Sequence, residues 1–328
     1  MKLPRNFKNN FSLKKNNSLK LDYKSDFFVV CNELEDLEQI YNFLSKNKVN
    51  FWVIGEGTNL VIKNNLNGLV IKNNLKGFEV NKNFITVGAG ENWDSLVNKT
   101  LELNLYGLEN LSGIPGSVGA APIQNIGAYG AEVSDFISYV EVINLTNGST
   151  EIISNEECKF IYRGSIFKNK SHLLITKICF CLSNEFKSNT HYKDLSGQFN
   201  CAEEIRERVL SVRSQKLLDH LEIPNVGSFF QNPIIKKELF NDLVIEYPDL
   251  KFYQLNSDLY KIPAAWLIEK AGWKGTSNGE AGISDKHALI FYNHSNKAND
   301  ILTHSSAVVK SIADKFKISL DYEPTFIS

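Results

Sequence analysis

Between Gly107 and Gly130 the chain places glycine at 107, 113, 116, 119, 127 and 130, with Glu109 as the one charged side chain and no Lys or Arg. Loops of this length are uncommon in compact domains and usually serve a function. If it is buried, every N–H and C=O along it needs a partner. Two readings are open: a buried glycine-rich crossover satisfied from within, or a cradle whose backbone N–H groups hold a ligand. An anion held here would be held by backbone donors rather than by cations.

The pattern around the loop sets the fold class. Apolar runs at 27–31, 51–54, 60–62, 69–72 and 84–87 read as strands, as do 139–145, 151–153 (after an Asn147-Gly148 turn) and 173–182. Leu34, Leu37, Ile40 and Leu44 follow a helical period, as do Trp93, Leu96, Val97 and Leu101. Residues 183–200 are polar and turn-rich, and a helix is expected over 202–217. Further helices are expected at 263–271 and 297–315, with strands at 288–292 and 323–327. A chain of 328 residues exceeds one hydrophobic core, so two or three domains of mixed α+β class are expected, with a boundary near 205.

A net charge of −1 gives no pull toward nucleic acid or an anionic membrane. The first twenty residues are rich in Lys and Asn without the apolar run of a secretory leader, and no stretch is long and apolar enough to span a bilayer. Cys31, Cys158, Cys179, Cys181 and Cys201 fit no zinc or CxxC spacing, and the scattered histidines have none either. Reduced cysteines, a cytoplasmic location and no metal are therefore expected.

Five segments can carry chemistry. Gly55-Glu56-Gly57-Thr58-Asn59 is either a tight turn between strands or an anion nest; it is not a dinucleotide fingerprint, because Leu60 and a strand follow it. The long loop is the second. Arg163, beside Tyr162, is placed either to grip a carboxylate or to form a structural ion pair. Ser228 lies between Gly227 and Phe229-Phe230 at a constrained turn that is not a nucleophile elbow. Glu323 near the terminus is, by itself, an ordinary solvated charge.

Taken in order, GEGTNLVI (55–62), GAGENW (88–93), GLENLSGIPGSVGAAPIQNIGAYG (107–130), YRGSIFK (162–168), VGSFFQNP (226–233), PAAWLIEKAGWKG (263–275) and EPTFI (323–327) closely resemble the UDP-N-acetylenolpyruvoylglucosamine reductase family. The resemblance spans nearly the whole chain, and the long-loop phrase is the most specific part. It implies a two-subdomain FAD-binding fold of the vanillyl-alcohol oxidase type over 1–204, split near residue 75. A C-terminal α+β substrate domain would cover 205–328, its last strand returning to the FAD domain. It implies non-covalent FAD on Gly55, Gly57, Thr58, Asn59, Ser112, Ile114, Pro115, Gly116, Ser117, Gly119, Asn125 and Gly127.

The implied reaction is NADPH-dependent reduction of a UDP-sugar enolpyruvyl ether to the lactyl ether of peptidoglycan synthesis. That places the chain in cell-wall biogenesis, and through it in cell shape, division and the cell cycle. A monomer is expected. Arg163 and Glu323 would bracket the substrate carboxylate, Glu323 as a neutral hydrogen-bond donor or by positioning a water, and Ser228 would give the proton. Lys216 and Asn232 would contact substrate. The segment 189–195 resembles the tyrosine-bearing loop of one subclass, which makes Tyr192 a closing group. Gly164, Gln231 and His287 depart from the family's common acidic residue, Lys and Gln. Another flavin oxidase of the same fold, acting on an alcohol or sugar, is the alternative.

Overall fold

The computed structural model describes residues 4, 6–190 and 192–328; His191, within the tyrosine-bearing segment, lies outside them. Contacts divide the chain into two compact units. The first comprises the described residues up to Phe11, then Lys24–Gly57 and Leu66–Arg213; the second comprises Ser12–Tyr23, Thr58–Asn65 and Ser214–Ser328.

In the first unit, Lys24–Cys31 and Asn50–Ile54 both pair parallel to Leu66–Asn73 between them. Leu69, Val70 and Ile71 are all fully buried, as expected of a strand covered on both faces. Helix α1 (Leu34–Asn47) lays Leu37, Ile40, Phe43 and Leu44 into the core shared with that sheet. Its start is fixed by a reciprocal Glu33–Asp36 capping box and its end by Lys48 in the left-handed region.

A second, five-stranded antiparallel sheet runs in the order Thr150–Ser154, Ile137–Asn144, Leu173–Cys181, Phe84–Gly88, Phe78–Asn81. Against it pack α2 (Trp93–Glu102), capped by Asn92 accepting from the Ser95 N–H at 2.9 Å, and apolar residues of the long loop, Leu108, Leu111, Val118 and Ala121. Helix α3 spans Ala202–Lys216, and the division between units falls inside its last turn.

In the second unit, an antiparallel sheet has the order Asn225–Ser228, Ile290–Asn293, Ala281–Ile283, Ser277–Asn278. Helices α4 (Lys237–Glu246), α5 (Ala264–Lys270) and α6 (Asn299–Phe316) complete it, with a small sheet at Ile234–Lys236, Leu259–Lys261 and Tyr253–Gln254. The terminal strand Thr325–Ile327 pairs parallel to Leu60–Ile62. The segment Ser12–Tyr23 is folded on Asn17, whose carboxamide donates to the Leu13 and Leu21 carbonyls at 2.8 and 3.0 Å. Ser18 then hydrogen-bonds the Asn225 carbonyl at 2.6 Å, at the root of the strand that ends in Ser228.

Candidate active site

The long loop is held by its own neighbours. Gly119 N donates to Ala89 O, Val118 N to Glu91 O, and Trp93 N to Gly116 O, at 2.8, 2.8 and 3.0 Å. Close backbone approach explains the glycines. A methyl at Gly119 would lie 2.6 Å from Ala89 Cβ, and one at Gly90 would lie 2.3 Å from the Asn74 carbonyl carbon. Gly113 has φ +70°, and its N–H donates to Asp94 at 2.6 Å. The same carboxylate takes a two-pronged grip from Arg206 at 2.7 and 2.8 Å. Burial draws the Asp94 carboxyl upward, but the Arg206 fork, the Gly113 N–H and the charges of Arg206 and Arg213 outweigh it and hold it below its usual value.

Gly55, which opens the turn expected at 55–59, meets this loop. A methyl at Gly55 would lie 2.4 Å from Ser117 Oγ, so Gly55 is glycine to admit that hydroxyl. Gly57 is buried with φ +69°. Glycine backbone and the Ser117 hydroxyl fit a cofactor bound by main-chain and hydroxyl groups, and the residues present fit FAD in that respect. The N–H groups of Gly113, Val118 and Gly119 are committed within the protein, and Ser112 donates its hydroxyl to Glu109 O at 2.6 Å. Ile114 packs on the core of the five-stranded sheet, and Pro115 is exposed.

The end of the loop organises two further expected residues. Gly127–Ala128 and Ala131–Glu132 form a short hairpin whose turn residues, Tyr129 and Gly130, have φ +50° and +85°. Asn110 ties this hairpin to the Tyr192 segment, donating to Tyr129 O at 2.8 Å and Asn189 O at 2.9 Å. The Tyr192 and Tyr129 rings meet edge-on at 5.5 Å. Arg163 occupies the tip of a tight turn closed by reciprocal Ile161–Gly164 hydrogen bonds of 3.0 Å each. Its φ of +54° is unusual for a side chain of this size. Its guanidinium donates to Gly127 O at 2.9 Å.

In the second unit, the structure brings Ser228, Glu323 and Asn59 into one neighbourhood. Val226-Gly227 interrupts the register between Asn225 and Ser228, and Gly227 has φ +71°. Asn225 Oδ1 stabilises this bulge by accepting the Gly227 N–H at 2.9 Å. A bulge bends the strand and re-aims the side chain that follows it, here Ser228. The residues after Ser228 run against the chain terminus: Glu323 N donates to Phe229 O at 3.1 Å, and Gln231 N to Asp321 O at 2.9 Å. Asn59 donates its carboxamide to the Glu323 carbonyl at 3.3 Å, and Thr325 N returns a bond to Asn59 O at 3.0 Å. Thr58 and Asn59 therefore belong with the second unit, and Gly55 and Gly57 with the first.

Asn232 accepts the first N–H of α5, from Ala264, at 2.9 Å. Lys216 is exposed at the end of α3. Its charge, after burial, helps push His287 below its usual pKa, and His287 Nδ1 accepts the Leu289 N–H at 3.3 Å. The imidazole is accordingly neutral near pH 7. Gln231 donates its side-chain amide to Tyr322 O at 3.2 Å. The two clamps that shape the first unit's site, Asn110 on the Tyr192 segment and Asp94 on Gly113, carry no local sequence signal.

Burial above all pushes the Cys31 and Cys158 thiols to about 12, so neither is a nucleophile near neutrality. All five cysteines are free. Among the described residues, no helix is long and apolar enough to cross a membrane, and no cluster of three His, Cys, Asp or Glu could hold a metal.

Residues 25–154 match the family model of an FAD binding domain, and residues 219–327 match the C-terminal domain of UDP-N-acetylenolpyruvoylglucosamine reductase. The reductase of that name from Flavobacterium johnsoniae is 38% identical over 97% of this chain and 98% of its own length. That from Shewanella baltica is 39% identical over 95% of each. The crystal structure of the Thermus caldophilus enzyme shares the fold, with a TM-score of 0.69 at 23% identity over 97% of this chain and 98% of that one. The α+β fold expected from the sequence, an FAD-binding part followed by a reductase C-terminal domain, is thus the fold found, and the flavin-oxidase alternative has no support. The chain is a flavin oxidoreductase and belongs to the UDP-N-acetylenolpyruvoylglucosamine reductase family.

Proposed function

We propose that this chain reduces the enolpyruvyl ether of UDP-N-acetylglucosamine to UDP-N-acetylmuramate with NADPH, as a cytoplasmic, monomeric step of peptidoglycan synthesis on which cell shape and division depend. The functional division lies near 204/205, with the FAD-holding segments before it and the substrate domain after it. Bound FAD supplies the relay that carries hydride from NADPH to the substrate's methylene carbon. As that C–H bond forms, the alkene pair moves to the carboxylate-bearing carbon and develops enolate character. Arg163 stabilises that charge with its planar guanidinium, a contribution of roughly 3–4 kcal/mol for comparable donors. Glu323 positions the carboxylate or a water. Ser228 gives its hydroxyl proton to the enolate carbon and is reprotonated from solvent. Tyr192, Lys216 and Asn232 contact the nucleotide sugar, and Gly55, Gly57, Thr58, Asn59, Ser112, Ile114, Pro115, Gly116, Ser117, Gly119 and Asn125 hold FAD without a covalent link, whereas the Gly127 carbonyl is engaged by Arg163 at 2.9 Å.

The observation that carries this reading is local: Ser228 follows a left-handed bulge, and the next residue is hydrogen-bonded to Glu323. Ser228→Ala should leave bleaching of the flavin by NADPH near its normal rate. Reoxidation by the enolpyruvyl substrate should slow by about 10²–10⁴-fold, the usual worth of general acid catalysis. Stopped-flow absorbance separates the two. An unchanged second phase would remove Ser228 from the reaction.

A further inference from the structure

Arg163 is held in a conformation that its own backbone does not favour, and the hold comes from the end of the glycine-rich loop. Its φ is +54°, a left-handed value that is sterically unfavourable for a non-glycine residue. One hold is on the side chain: Arg163 Nη2 donates to Gly127 O at 2.9 Å. A second is on the turn that carries it. Asn125 Nδ2 reaches Ile161 O at 3.3 Å while also donating to Glu132 Oε2 at 2.7 Å, and Asn125 Oδ1 accepts Ser134 N–H at 3.0 Å. The third is an empty volume. A methyl at Gly127 would lie 3.0 Å from Arg163 Nη1, and 3.1 Å from both Ala131 O and Glu132 Cγ. Gly127 does not have the positive φ that would by itself demand glycine. Its want of a side chain is explained by the neighbours that crowd it, and the closest is the guanidinium. All these residues lie in the first unit.

We propose that Gly127 is a positioning residue for Arg163: its carbonyl aims one guanidinium nitrogen, and its bare Cα leaves room for the other. This rests on the role given to Arg163 above. A guanidinium displaced by a few tenths of an ångström still binds a carboxylate but meets developing charge less well, and a misplacement near 1 Å can cost about 10²-fold in rate.

The test compares Gly127→Ala, Arg163→Lys and the double variant in the full-length flavoprotein, with flavin content and both half-reactions measured. Gly127→Ala should keep its flavin and its reduction by NADPH, while reoxidation at saturating substrate slows about 10–100-fold. Arg163→Lys, which lacks the fork, should be slowed at least as much. The double variant should be no more than about threefold slower than Arg163→Lys, because the two changes remove one interaction. Multiplicative losses in the double variant would overturn the proposal, as would loss of flavin from Gly127→Ala, which would make Gly127 a cofactor contact instead. Normal reoxidation in Gly127→Ala with slow Arg163→Lys would sink this inference alone; normal reoxidation in Arg163→Lys would sink the reading beneath it. Should Gly127→Ala fail to fold, the double variant should fold, since the guanidinium nitrogen 3.0 Å from the added methyl is gone. Failure of both would assign the crowding to Ala131 and Glu132 and refute the proposal.

Discussion

The two units hold their proposed site residues by opposite means. In the first, the glycine-rich loop is fixed by main chain against main chain: Gly119 on Ala89, Val118 on Glu91, Trp93 on Gly116. At the closest approaches glycine stands on one side, Gly119 against Ala89 and Gly90 against Asn74. In the second, Ser228 and Glu323 are fixed by rings. Phe229 is fully buried, stacked on Phe291 at 4.7 Å, with Phe230, Tyr322 and Phe326 set edge-on or tilted around them. The backbone bonds between residues 229–231 and 321–323 ride on that packing. A loop of the first kind is broken by adding an atom, and a corner of the second kind by removing several.

The larger effect is therefore expected in the second unit. Phe229→Ala should cost about 3–5 kcal/mol, the range for truncating a buried aromatic side chain. Ser228 and Glu323 should lose their register together, so reoxidation by substrate should fail while flavin content holds. Thermal melting and flavin absorbance of the purified variant measure the two sides. Loss of flavin at normal stability would erase the contrast between the units.

The converse change is Gly90→Ala. Its methyl would stand 2.3–2.6 Å from Asn74 C, Asn74 Cα and Leu75 N, all backbone atoms, so the main chain itself must move. Overpacking of this kind costs about 1–3 kcal/mol. The displaced 89–91 segment should carry Val118 and Gly119 with it, so purified Gly90→Ala should contain little FAD. A yellow, fully loaded Gly90→Ala would show that the ladder does not set the cofactor's seat.

The same contrast decides what could be read in the sequence. Elements with several buried apolar residues in register were legible. The expected strands at 69–72 and 173–182 lie within the observed strands but for one end residue, α2, α3 and α6 start and stop within about two residues of expectation, and α1 starts at Leu34 but runs on past Leu44 to Asn47. Boundaries failed where local hydrogen bonds override the apolar pattern. The strand expected from 288 starts at Ile290, because His287 to Ile290 closes a turn through a 3.0 Å bond. Leu34, counted in the stripe of α1, is its exposed first residue.

Helix α4 was not anticipated: only Phe240 and Leu243 are buried in it and Ile245 is 81% exposed, so no clean stripe exists to be seen. The glycine loop was legible as backbone that needs partners for its N–H groups, but the partners were not, since Ala89 and Glu91 lie nearly thirty residues earlier in the chain. Arg163 was visible as a candidate, and the left-handed turn that presents it was not.

The smallest effect expected is one of pH, and it tests whether the second unit's core depends on burial as its ring packing implies. His304, on α6, is buried between the Trp273 and Phe291 rings, at 5.5 and 6.1 Å, with Nε2 3.2 Å from Thr276 Oγ1. The Thr276 hydroxyl itself donates to Trp273 O, which leaves Nε2 as the donor to its oxygen. Burial pulls the His304 pKa below its ordinary 6.5, and a hydrogen bond to the Thr276 main chain only partly opposes this. The sign follows. Between the folded and unfolded pKa values the unfolded chain binds more protons, so stability is full above about pH 6.5 and falls as pH drops toward the folded value, by at most about 1.4 kcal/mol per pH unit for one group. His220 and His287, also lowered chiefly by burial, add to the same fall. His304→Gln keeps an N–H donor at the Nε2 position and cannot titrate. It should therefore cost about 1 kcal/mol or less at pH 8 and melt with a shallower loss between pH 6.5 and 5 than the parent. Parallel pH–stability curves for the two proteins would show that His304 takes up its proton as readily in the folded chain as in the unfolded one, and that this core is wetter than its aromatic walls suggest.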